Sequence, residues 1–67
     1  MCQMKIILKQ GDNEEVVLEN ASMLEVIGKG VKVSALFEQP KIIQGAEVHS
    51  IDFLNGRVTV TKRWKEA

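Results

Sequence analysis

The stretch Gly28-Lys29-Gly30-Val31-Lys32-Val33-Ser34-Ala35-Leu36-Phe37-Glu38 decides the fold class. Val31, Val33, Ala35 and Phe37 occupy alternate positions, with Lys32, Ser34, Leu36 and Glu38 between them. A repeat of two puts one row of side chains on each face of an extended chain, so this segment reads as a strand with an apolar and a polar face. Gly28-Lys29-Gly30 ahead of it is a tight glycine turn suited to a hairpin.

Toward the N-terminus the same signal recurs. Met23 to Ile27 reads as a strand with Leu24 and Val26 inward and Met23, Glu25 and Ile27 outward. Asn20-Ala21-Ser22 separates it from Glu14 to Glu19, where Val16 and Leu18 share one face and Val17 lies among Glu15 and Glu19 on the other. Gln10-Gly11-Asp12-Asn13 is a turn, because Gly and Asn accept positive φ and Asp and Asn side chains cap their own backbone. Lys5 to Lys9 alternates Ile6 and Leu8 against Lys5, Ile7 and Lys9, and its inward phase extends back through Met4 to Cys2.

Toward the C-terminus, the segment Glu38 to Gly45 contains the only proline, Pro40. Proline cannot donate to a ladder, which predicts a connection that leaves the sheet. Ala46 to Leu54 resumes strand character, but Val48 is out of phase with Ile51 and Phe53, and a β-bulge near His49 and Ser50 restores the register. Asn55-Gly56 signals a type I′ hairpin turn. Val58 and Val60 mark the last strand, with Trp64 expected to cover an open end.

Six short strands without helical periodicity imply an all-β fold: a small antiparallel β-barrel or sandwich of the SH3-like or Sm-like kind, one domain over residues 1–67. A domain this small buries only about 60% of its unfolded surface, so association or a bound metal is a natural source of stability. Ile7, Val17, Met23, Ile27 and Leu36 fall on nominally outward faces. Together they read as an apolar patch, which points to a homodimer. The alternative is a barrel wrapped so tightly that parts of both faces are covered.

Nine basic and nine acidic residues leave the chain formally neutral. Phosphate neutralisation carries much of nucleic-acid affinity, so a neutral chain argues against a nucleic-acid partner. Lys62, Arg63 and Lys65 around Trp64 form the one local basic cluster and fit a solvated strand end. Catalysis is not expected: there is no Ser/His/Asp set, no paired-carboxylate motif and no phosphate loop. No apolar run approaches the roughly 20 residues needed to span a bilayer, and the expected location is the cytoplasm, with no membrane partner and a reduced thiol.

The chemistry concentrates at Met1-Cys2-Gln3-Met4, which holds the single cysteine. Removal of Met1, which a small second residue permits, would leave Cys2 with both a thiol and an α-amine that together chelate a metal ion. Free thiols titrate at about 8.5 and α-amines at roughly 7.7 to 8.0, so binding must displace protons. Thiolate with amine nitrogen suits Ni(II), Cu or Zn(II) rather than Mg or Ca. One Cys2 supplies two donors, so a four-coordinate site needs a second chain or further donors, such as the Gln3 amide nitrogen or His49; Met4 offers a soft axial donor, although a methionine inside a strand on the apolar face is more often core. Against this stands the ordinary role of a free cysteine as a small buried hydrophobe, since Cys2 falls in the phase of Met4, Ile6 and Leu8.

The Met1-Cys2 start, the Lys5 to Leu8 strand, Leu24-Glu25-Val26, Leu36-Phe37-Glu38, Gly45 leading to Val48, Ile51 and Asp52, and the Val58-x-Val60 strand together resemble the CooT family over the whole chain. The resemblance implies a homodimeric nickel-binding accessory protein linked to carbon monoxide dehydrogenase maturation, with maturation proteins as partners. It implies Cys2 as the Ni(II) ligand, with two thiolates and backbone or amino nitrogens forming an S2N2 set. Some relatives carry a predicted RNA-binding label, which keeps an Sm-like nucleic-acid-binding module as the competing reading.

Overall fold

The computed structural model describes residues 4–62. Six strands, β1 (Met4–Gln10), β2 (Asn13–Ile27), β3 (Gly30–Ala35), β4 (Lys41–Gln44), β5 (Ala46–Asp52) and β6 (Arg57–Lys62), form one sheet in the lateral order β4-β3-β2-β1-β6-β5. The all-β expectation holds: no helix occurs among the described residues, and so none long and apolar enough to cross a membrane.

The expectation of an antiparallel barrel is corrected on two counts. The sheet is mixed, because β1 and β6 run parallel from Lys5 opposite Arg57 to Lys9 opposite Thr61, while the other ladders are antiparallel. It is also open, with β4 and β5 as its two edges. Those edge strands are consecutive in the chain and are separated only by Gly45, whose φ is 73°. The sheet therefore has to curl until its edges nearly meet.

Its concave face carries a single core. Ile6 and Leu8 of β1, Leu18 and Ala21 of β2, Val31, Val33 and Ala35 of β3, Ile43, Ala46, Val58 and Val60 are buried together. Met4, Val17, Leu24 and Val48 pack against this cluster. Ile7, expected outward, is only 5% exposed and stands apart from the cluster on the opposite face, between Val16 and Thr59. A central strand with a parallel neighbour tends to be covered on both sides and to read as a continuous apolar run, as Ile6-Ile7-Leu8 does.

The count of six strands is right, but its division differs. Asn20-Ala21-Ser22 does not break the chain: β2 runs unbroken through it, and Ala21 pairs with Met4 on one side and Ala35 on the other. A register shift between Ala21 and Met23 absorbs the irregularity as a bend. The supposed connection after Glu38 contains β4, in which Ile43 is buried opposite Val31. Pro40 sits just before this edge strand, where no ladder bond is asked of it.

Two inward assignments fail at strand ends. Val26 is 72% exposed near the β2–β3 turn, and Phe37 is 99% exposed because β3 ends at Ala35. The bulge at His49 is present: Val48 faces Val60, Ser50 faces Thr59, and Ile51 then faces Val58.

Asn55-Gly56 is not a two-residue type I′ turn. The loop between β5 and β6 is residues 53–56, and among the described residues no non-glycine one, Asn55 included, has positive φ; Gly56 alone in the loop does, at 66°. Asp52 organises it. Its Oδ1 accepts hydrogen bonds from the backbone N–H of Leu54 and of Asn55, both at 3.1 Å, and its Oδ2 accepts one from Asn55 Nδ2 at 2.8 Å. These bonds hold the Asp52 carboxyl below its ordinary pKa. The Asn55 side chain acts most, then the Asn55 and Leu54 amides, with a small contribution from the Arg57 charge. Trp64, Arg63 and Lys65 lie outside the described residues.

Gly45 and Gly30 fix the corner that joins the sheet edges. Gly45 N–H donates to the Lys29 carbonyl at 2.8 Å, and a Cβ on Gly30 would overlap the carbonyl oxygen of Ile43. That neighbour is ladder backbone and cannot swing away. Gly30→Ala should therefore lose about 2–4 kcal/mol, whereas Gly28→Ala, whose added Cβ meets nothing within 4 Å, should change stability by about 1 kcal/mol or less; urea unfolding of the two variants checks the contrast. A depressed carboxylate pKa contributes stability that is complete above the unfolded value and is lost as pH falls through the folded one. Acidification should accordingly expose the Leu54 and Asn55 amides together, with a midpoint below the ordinary carboxylate value, followed as amide chemical shifts and exchange rates in Asp52 protein against Asp52→Ala.

Candidate functional site

Cys2 and Gln3 lie outside the described residues, but the residue to which they are joined is well fixed. Met4 begins β1, opposite Ala21 of β2, and Lys5 N–H donates to the Gly56 carbonyl at 2.8 Å. β1 is thus clamped on one side by β2 and on the other by β6 from its first residues. Two residues of chain reach at most about 7 Å, so the Cys2 Cα stays within that distance of the Met4 Cα in any conformation.

The further donors considered for a metal separate on this scaffold. Met4 is half-buried and packs against the core, which occupies its thioether side chain as packing. His49 is exposed in the β5 bulge, between Val48 and Ser50, which face Val60 and Thr59 of β6. Thr59 and Val60 in turn face Ile7 and Leu8, so His49 stands three to four rungs along the sheet from Met4 and two strands to the side. At about 3.3 Å per rung and 4.8 Å per strand, that is roughly 15 Å. His49 is not brought to the end from which Cys2 emerges. Among the described residues no three of His, Cys, Asp and Glu lie close enough together to hold a metal ion.

What surrounds that end is apolar and exposed. The capped loop on one side of Met4 presents Phe53 and Leu54, exposed by 82% and 93%. On the other side, across β2, Ala35 leads into Leu36 and Phe37, exposed by 68% and 99%. Both phenylalanines of the chain are therefore on the surface. The strand alternation had put Phe37 in the row of Val31, Val33 and Ala35, and Phe53 in phase with Ile51. The overlooked signal is that each belongs to a pair of adjacent apolar residues, Leu36-Phe37 and Phe53-Leu54, placed just before turn-forming residues. A pair straddles both phases and cannot be assigned by alternation.

The outward patch read from the sequence dissolves: Ile7 is buried and Val17 joins the core, as in the tightly wrapped alternative, while Met23 and Leu36 remain exposed.

Comparison with known proteins agrees with this architecture. No curated protein matches the chain. A crystal structure assigned as CooT from Carboxydothermus hydrogenoformans superposes with a TM-score of 0.80 at 24% identity, over 91% of this chain and 97% of that one, which establishes a shared fold. The model of the CO dehydrogenase accessory protein CooT matches residues 1–61, nearly the whole sequence. The chain belongs to the CooT family of CO dehydrogenase accessory proteins.

Proposed function

We propose that this protein is a nickel-binding accessory protein that carries or stores Ni(II) for carbon monoxide dehydrogenase maturation, using Cys2 at a site shared by two copies. The observation that carries this reading is the family match beginning at residue 1, which takes in the single cysteine. The scaffold is consistent with it. The start of β1 is held between two strands, while Met4 is engaged in packing and His49 is distant, which leaves Cys2 and nearby backbone nitrogen as the donors.

The chemistry follows from the donor types. With Met1 removed, each Cys2 offers a thiolate and an amine, and two copies offer an S2N2 set that suits square-planar Ni(II). With Met1 retained, backbone amide nitrogen takes the place of the amine. Thiolate must form before it can bind, so nickel affinity rises with pH through the range of the thiol and amine, about 7.7 to 8.5, and each binding event releases protons. The role is non-catalytic: the protein holds an ion and gives it up. No feature of the described surface favours the nucleic-acid alternative over this one.

Titration of tag-free protein with Ni(II) tests the reading. Thiolate-to-nickel charge-transfer absorbance should saturate at one nickel per two chains, steepen as pH is raised from 6.5 to 8.5, and be absent in Cys2→Ser. Mass spectrometry of the complex counts metal and chains and reports whether Met1 is present. A band that persists in Cys2→Ser, or no band at all, would overturn it.

A further inference from the structure

We infer that Asn55 is a site of covalent self-modification: the Asn55-Gly56 link closes to a succinimide and reopens with a carboxylate in place of the Asn55 amide, Asp52 sets the rate, and the product loosens the turn. The inference is independent of the nickel reading, since it rests on the β5–β6 loop alone.

Sequence and fold single this residue out. The chain has three asparagines, Asn13, Asn20 and Asn55, and only Asn55 precedes a glycine. Amide loss requires the backbone nitrogen of the following residue to reach the asparagine Cγ, and a side chain on that residue obstructs the approach. Gly56 has none, and with a φ of 66° it stands in a turn outside the strands. Asn13 and Asn20 lie inside β2, where extended backbone carries the next amide away from the side chain. Asn55 is exposed, so water reaches the ring once it has formed.

The chemistry needs only water. The Gly56 nitrogen bonds to Asn55 Cγ, the Cγ–Nδ2 bond breaks, and the Gly56 amide proton departs with Nδ2 as ammonia. Water then adds to one of the two imide carbonyls; the C–N bond at that carbon breaks, hydroxyl stays on carbon and the proton passes to nitrogen. Opening at Cγ gives aspartate. Opening at the backbone carbonyl carbon routes the main chain through Cβ and Cγ, one atom longer than before.

Asp52 opposes the first step. Asn55 Nδ2 donates to Asp52 Oδ2 at 2.8 Å, while the Leu54 and Asn55 N–H groups donate to Oδ1 at 3.1 Å, so the amide has to leave its partner before Cγ turns toward Gly56. A bond to a charged acceptor is among the stronger kinds, and its loss should speed ring closure about 10-fold. Either product then undoes the turn. A carboxylate at position 55 removes the Nδ2 donor and sets like charge against Asp52. The longer main chain shifts Gly56, whose carbonyl accepts from Lys5 N–H at 2.8 Å, and the clamp on the start of β1 loosens with it.

Incubation of the full chain in warm, mildly alkaline buffer tests this by peptide-mapping mass spectrometry, with the same chain unfolded in urea as the reference for unhindered closure. Residue 55 should gain the mass of an amide-to-acid change, as two chromatographically separable products, while Asn13 and Asn20 stay intact. Asp52→Ala, its fold checked by circular dichroism, should convert about 10-fold faster than the parent. Asn55→Asp, which carries one product from the start, should exchange its Lys5 and Leu54 amides faster than the parent. A folded chain that keeps the amide at residue 55 while the urea-unfolded chain converts fully overturns the inference. Equal rates in Asp52→Ala and the parent would remove Asp52 from its control, and unchanged exchange in Asn55→Asp would overturn the loosening of the turn.

Discussion

The two edges of this sheet are joined by one residue. β4 and β5 lie at opposite ends of the strand order, yet only Gly45 separates them in sequence. A flat six-strand sheet would hold its edges some five strand spacings apart, about 24 Å, which a single residue cannot span. The sheet must therefore curl, and the bend at Ala21–Met23 in the long β2 is where its register yields. Curling gives a 67-residue chain a concave side deep enough that Val31, Val33 and Val60 are fully excluded from solvent. The missing side chains at Gly30 and Gly45 make the corner possible, one by permitting close approach to Ile43 and the other by adopting a positive φ.

The same topology determines how the first strand is held. β6 returns beside β1 in parallel, so the N-terminal strand becomes a central strand flanked on both sides, where a terminal strand in a small meander would have been an edge. Central strands are the least prone to local opening. Under the proposed reading, a first strand anchored in this way from Met4 onward would give a Cys2 donor a rigid frame, and donors on rigid elements lose less entropy on metal binding than donors on a loose tail.

Much of this was legible in the residues. The all-β class, the bulge at His49 and the core positions Ile6, Leu8, Leu18, Val31, Val33, Ala35, Val58 and Val60 all follow from period-two alternation. Alternation fails in three physical situations. It fails where a strand is covered on both faces, as at Ile7; where a strand has ended, as at Phe37 and Phe53; and where a short edge strand follows proline, as in β4. Lateral order is invisible to it altogether, since strand direction relative to a neighbour leaves no mark on a single period. The uninterrupted Ile6-Ile7-Leu8 was the available clue to a parallel central strand. Cys2 stood out in the residues as the single soft ligand, whereas the distance of His49 and the engagement of Met4 needed the register.

A chain that offers two donors and an ion that takes four have a thermodynamic consequence under the shared-site reading. Nickel that binds the pair more tightly than the single chain must strengthen the pair by the same factor, because the coupling is reciprocal. Chain concentration then becomes a control on metal affinity. At low concentration each copy would hold nickel weakly, through two donors, and at high concentration tightly, through four. Copper outranks nickel for such donors in intrinsic affinity. Selectivity must then come from a geometry that the dimer imposes on the donor set, or from which metal the cell makes available. Under the same reading, a frame that fixes both N-terminal strands would supply the first of these, since a rigid pair of anchors can favour a planar arrangement over a tetrahedral one in a way that two free peptides cannot.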